Sequence, residues 1–120
     1  MTDREAFAHD AVVDLVDGDD RAPGGAITVA LCGSWEHPPP CPLAPHHTAA
    51  ERDGDVVRLR VLFAAEPGDE PEVRRRIADA LAAGEVATPN GDLARWSLTC
   101  EAPAEVRPEE SDHGQRLISS

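Results

Sequence analysis

The sequence predicts an α+β fold: a two-layer sandwich in which a mostly antiparallel sheet of three or four strands carries two helices on one face, with a ferredoxin-like arrangement as one instance. Three observations lead there. Segments 56–65 and 94–101 alternate in character with a period of two, segment 70–83 repeats its apolar residues every three to four positions, and Asp53-Gly54 joins two strand-like runs into a hairpin.

Taken in order, residues 2–16 read as a helix. Thr2 and Glu5 fit a capping box, and Phe7, Ala11 and Leu15 share one face. Asp17-Gly18-Asp19-Asp20 ends it, and Pro23-Gly24-Gly25 completes a connection. Residues 26–35 read as a strand, with Ile27, Val29, Leu31 and Trp35 on one side and the small Thr28, Ala30, Cys32 and Ser34 on the other. Residues 36–47 hold five of the chain's eleven prolines, a density that neither a helix nor a central strand tolerates, so an irregular, stiff loop is expected. The outgoing strand of the hairpin at 48–65 places Val57, Leu59, Val61 and Phe63 on one face, opposite Arg58 and Arg60.

Helix 70–83 has Asp69 or Glu70 as cap, Pro71 in its first turn, an apolar stripe of Val73, Ile77, Ala80 and Leu81, and Gly84 as its stop. Pro89-Asn90-Gly91-Asp92 is a turn. In strand 94–101, Trp96, Leu98 and Cys100 point one way and Arg95, Ser97, Thr99 and Glu101 the other. The crossover from strand 56–65 through the helix to strand 94–101 leaves those two strands parallel or one strand apart. Residues 1–102 form one domain, and the polar segment 103–120 is expected to be a loose tail that Leu117-Ile118 alone could dock.

Composition narrows function by exclusion. Of the 120 residues, 23 are acidic and 11 basic, every base is arginine, and the formal net charge is −12. Such a surface repels phosphate backbones, which argues against nucleic acid and anionic membranes and is compatible with cations or a basic protein partner, as an inhibitor, immunity factor or regulatory subunit would have. Aromatics are 3% of the chain, which leaves little surface for stacking bases or sugars. No apolar run reaches the ~18–20 residues that span a bilayer, and the opening Met-Thr-Asp-Arg-Glu lacks the pattern of a secretory signal, so a cytoplasmic protein is expected. An odd count of three cysteines in a reducing compartment favours thiols or metal ligands over a disulfide.

One constellation carries chemistry. Cys32, His37, Cys41, His46 and His47 follow the spacing Cys-x4-His-x3-Cys-x4-His-His and gather five of the chain's eight Cys and His within sixteen positions. Two thiolates and two imidazoles suit the tetrahedral shell of Zn2+, and a proline-stiffened loop loses less entropy when its ligands converge. Glu36 could orient a ligand histidine. If the backbone at His46-His47 is extended, the two rings diverge, so that one binds and the other faces solvent. The closely spaced cysteine pair of many structural zinc sites is missing. The competing view makes Cys32 a small core residue, Cys41 a partly buried thiol and the histidines loop surface. A cysteine enzyme would pair Cys41 with His37 or His46, but Pro42 and Pro45 follow where a Gly-rich helix start would supply an oxyanion hole. With an open metal position, Glu36 would be the candidate base.

Other charged features read as scaffold. Arg74-Arg75-Arg76 beside Glu70 and Glu72 reads as a solvated helix face, and His9 beside Asp10 as a surface histidine. Asp14, Asp17, Asp19 and Asp20 lack the loop pattern of a calcium site. Trp35 and Trp96 are core. His113 supplies a remote ligand only if the C-terminal segment folds back.

Overall fold

The computed structural model describes residues 4–32, 44–88 and 91–119, with Cys32 by its backbone alone. Thr2, the end of the expected strand at 33–35, the loop at 36–43 with Glu36, His37 and Cys41, and Pro89-Asn90 lie outside the described residues. The chain order is β1 (Glu5–Asp17), α1 (Ala22–Cys32), β2 (His46–Asp53), β3 (Val56–Ala65), α2 (Glu70–Ala83), β4 (Glu85–Ala87), β5 (Leu93–Ala104) and α3 (Ser111–Ile118), with 3-10 turns at Pro67–Asp69 and Pro108–Glu110.

The fold is α+β with an antiparallel sheet, but it has five strands in the order β2-β3-β1-β5-β4 and three helices rather than three or four strands and two helices. Two β-α-β units interleave: β3 lies between β1 and β2, and β1 lies between β3 and β5. The one-strand-apart alternative for β3 and β5 is therefore the one the chain adopts.

The first two elements exchange identities relative to the sequence reading. Residues 5–17 are a strand, because the spacing of Phe7, Ala11 and Leu15 is both one helical stripe and every second residue of a strand face. The β-branched Val12, Val13 and Val16 favour the extended form. Residues 22–32 are a helix, although Gly24, Gly25, Thr28 and Val29 are weak helix formers; packing overrides propensity. Its Ala22, Pro23, Ile27 and Leu31 are buried, and a Cβ at Gly24 would meet Thr48 of β2 at 3.3 Å, so small residues let the helix sit close to the sheet.

One core fills the space between the sheet and the pair α1 and α2. Ala11, Val13 and Leu15 of β1 and Val57, Leu59, Val61 and Phe63 of β3 meet Ile27 and Leu31 of α1 and Val73, Ile77 and Leu81 of α2. Each such Val, Leu, Ile or Phe side chain taken from water contributes about 1.5–3 kcal/mol. Trp96 closes one end and donates from Nε1 to Leu81 O at 2.9 Å, which satisfies its one polar atom. The segment expected to be a loose tail is instead ordered: β5 runs on to Ala104, and α3 packs on β1 and β3 across the opposite face of the sheet.

Gly84 ends α2 at φ 72°, and a Cβ there would stand 2.8 Å from Trp96 O; Gly54, in the β2–β3 turn at φ 63°, faces open space. Gly84→Ala therefore adds a backbone collision to left-handed strain, whereas Gly54→Ala meets strain alone. Denaturant unfolding should show G84A losing more than about 1 kcal/mol and clearly more than G54A; equal losses would contradict the packing described.

Candidate functional site

Alternation along the sheet divides its side chains between two faces, and the C-terminal segment crosses the face opposite the main core. Arg60 of β3 holds that segment. Its guanidinium donates to both carboxylate oxygens of Glu110 (2.9 and 2.7 Å), to Asp10 of β1 (2.9 Å) and to Glu105 O (2.6 Å), with 15% of the side chain exposed. The Arg60 hydrogen bonds keep the Glu110 carboxyl at about 2, below its usual 4.5, and Glu110 in turn raises Arg60. Gly114 of α3 rests on Ala6 of β1, where an added Cβ would come within 3.0 Å.

Docked this way, α3 carries His113 to His47 of β2. The ring centroids are 4.8 Å apart and the planes are inclined by 50°. A groove of about 450 Å³ surrounds the pair, lined also by Leu62, Glu109, Asp112 and Arg116. His47 is held below its usual 6.5, first by desolvation of its ring and then by the charge of His113.

The residues singled out in the sequence fall into three groups. Cys32 (beyond its backbone), His37 and Cys41 lie outside the described residues. His46 and His47 begin β2 and diverge onto opposite faces. The His46 Nδ1–H donates to Ala44 O at 3.1 Å and its Nε2 lies 2.9 Å from Thr28 Oγ1, so both nitrogens already have protein partners. His47 faces α3 and meets His113. Among the described residues, no group of three or more His, Cys, Asp or Glu could hold a metal ion. Cys100 is an exposed free thiol.

A second polar cluster escaped the sequence reading. His9 is 3% exposed rather than on the surface, and Arg74 is 14% exposed rather than solvated. Arg74 donates to His9 Nδ1 (3.0 Å), Ala8 O (2.7 Å) and Glu70 (2.7 Å), and its guanidinium lies over the rings of Phe7 and Phe63. An arginine cannot accept a proton bond, so Nδ1 carries no hydrogen and Nε2–H donates to Glu101. With both nitrogens engaged and the ring sealed, this imidazole ties β1, β5 and α2 together and is closed to a substrate.

Glu101 reaches His9 through a β-bulge. Val12 pairs with Cys100 and Val13 with Leu98, leaving Thr99 as the extra residue. The bulge reverses the phase of β5, so Glu101 points to the core side and Cys100 to the other, the reverse of strict alternation. A carboxylate one position out of phase with Trp96 and Leu98 was the available signal, and it is visible only once the bulge is known.

Comparisons of the chain with protein families, with curated proteins and with solved structures find no significant match. Among the described residues, no helix is long and apolar enough to cross a membrane.

Glu110 binds its proton less readily in the fold, at about 2, than at its usual 4.5. Its stabilising contribution is therefore complete above about 4.5 and is lost as pH falls from there towards 2. Amide exchange across that window should show α3 losing protection before α2; loss of both together would contradict a local role for the Arg60–Glu110 pair.

Proposed function

We propose that this chain is a metal-binding α+β domain that holds a zinc-like divalent ion at His47 and His113, with further ligands drawn from His37 and Cys41 of the Cys/His segment; Cys32 ends α1 on the other face of the sheet and is not among them. The observation that supports it is the 4.8 Å between the two imidazoles. On one tetrahedral zinc, with Zn–N bonds of ~2.0–2.1 Å, two imidazole centroids would stand roughly 5 Å apart. His46, engaged with Thr28 and Ala44, is assigned a positioning part at the start of β2 rather than a ligand's. We infer also that the interleaved β-α-β units make a ferredoxin-like sandwich extended by β4 and α3.

A second reading, an acidic module for a basic protein, draws on one end of the sheet. There Val16 (70% exposed) and Leu93 (42%) stand beside the exposed Asp14, Asp17 and Asp19 on a chain of net charge −12. It assigns no chemistry to the histidine pair and ranks below the metal reading for that reason.

The test is zinc titration calorimetry on untagged, chelator-stripped protein. Wild type should bind about one equivalent, and His47→Ala and His113→Ala should each weaken binding by about 10-fold or more, the loss expected for a removed ligand being at least that of a lost outer-shell partner. Unchanged affinity in both variants, or no binding by wild type, would overturn the proposal.

A further inference from the structure

A second groove lies on the outer face of the sheet, where β3 runs back from Arg60 to Arg58. It holds about 400 Å³, and its lining includes Val12 of β1, Ala49 and Glu51 of β2, Arg58 of β3 and Arg107, just ahead of the turn at Pro108–Glu110. The chain has 23 acidic residues for 11 arginines, so an arginine has carboxylates to spare, and all eleven lie among the described residues. Six of them stand in ion pairs with Asp or Glu, Arg52 donates to Gly54 O, and Arg4 and Arg116 have contacts of their own. That leaves Arg58 and Arg107, whose guanidiniums form no ion pair among the described residues. Both are exposed, and both line this groove. Glu51 faces Arg58 across the β2–β3 register, yet the two do not form an ion pair.

From this we infer that the groove binds a carboxylate carried on a small apolar body, with the guanidiniums of Arg58 and Arg107 holding the carboxylate and Val12 and Ala49 meeting the body. A guanidinium presents a planar fork of donors that matches a carboxylate, and the charge assists each hydrogen bond. The carboxylates already in the groove do not fill that role. Asp10 and Glu110 are held by Arg60, which leaves Glu51 as one negative charge against two positive ones. The volume falls in the range of small organic ligands, roughly 300–1,000 Å³. The field of a chain of net charge −12 turns away polyanions, whereas a single carboxylate answers the local surplus of positive charge. A free short-chain acid and the C-terminus of a peptide share this chemistry. The inference uses neither the metal reading nor its histidines.

Titration of the full isotope-labelled chain with butyrate at constant ionic strength, read by NMR, tests the groove. The side-chain Nε–H signals of Arg58 and Arg107 and the amides of Val12 and Ala49 should shift saturably. Butyramide, the neutral isostere, should leave them in place. Removing either guanidinium breaks no ion pair, so Arg58→Gln and Arg107→Gln should keep the amide spectrum of the folded chain while each weakens butyrate binding by about 10-fold or more. Arg95→Gln, at an arginine paired with Glu85 of β4 away from the groove, should bind as wild type does. A tetra-alanine peptide with a free C-terminus that binds more tightly than butyrate assigns the source as a peptide end, and the reverse order assigns it as a free acid. No saturable shift, equal response to butyrate and butyramide, or unchanged affinity in both Gln variants would overturn the proposal. A preference for inorganic phosphate over butyrate would overturn the choice of a carboxylate.

Discussion

The arrangement on the outer face of the sheet depends on one guanidinium. Arg60 projects from the middle of β3, away from the main core, and meets a carboxylate from β1, a carboxylate from the turn before α3 and a main-chain carbonyl from the segment after β5. Strand β1, strand β3 and the C-terminal segment 105–110, far apart in sequence, are fixed by one planar group with five donors, a task that a lysine could not reproduce. Because the side chain is largely covered, its partners are held more firmly than those of the exposed Arg75 and Arg76 pairs on α2, where screening by water leaves little. The position of α3, and with it the meeting of His113 and His47, follows from this clamp.

A second constraint is the central place of β1. It is paired on both edges, by β3 and by β5, so its two sets of side chains serve two separate layers. Ala11, Val13 and Leu15 build the core beneath α1 and α2, while Ala6, Ala8 and Asp10 receive the C-terminal segment. The bulge at Thr99 is the local device that reconciles this alternation with the burial of His9, since it turns Glu101 inward to accept the hydrogen bond from the ring's Nε2–H. Polar groups buried at that end are satisfied as a set, and removing one would leave another without its partner.

Much of the scaffold was legible where a single physical signal dominates. Helix α2 follows from Pro71, the Val73-Ile77-Leu81 stripe and Gly84, and the hairpin from one turn between alternating runs. The reading failed where two periodicities share a multiple, as at Phe7, Ala11 and Leu15, and where tertiary packing outweighs weak helix formers, as at Gly24 and Gly25. The C-terminal segment is not legible, because its polar composition hides short apolar anchors whose value depends on a sheet face built by β1 and β3, far earlier in the chain. The site was legible in half. His47 belongs to a visible Cys/His concentration, and its divergence from His46 follows from an extended backbone. His113 joins only if the chain end folds back, which is a property of Arg60, Glu110 and Gly114 together. The His9 cluster was not legible, because a bulge cannot be read from alternation.

The account stands or falls on whether one ion engages both imidazoles of the pair. Long-range proton–nitrogen correlation spectra of the histidine rings during a zinc titration report this directly. The expected result is that ring nitrogens of His47 and His113 shift together and saturate at one equivalent, while both nitrogens of His9 stay where they are. Saturation that moves His46 or other groups and leaves the His47–His113 pair untouched would contradict it.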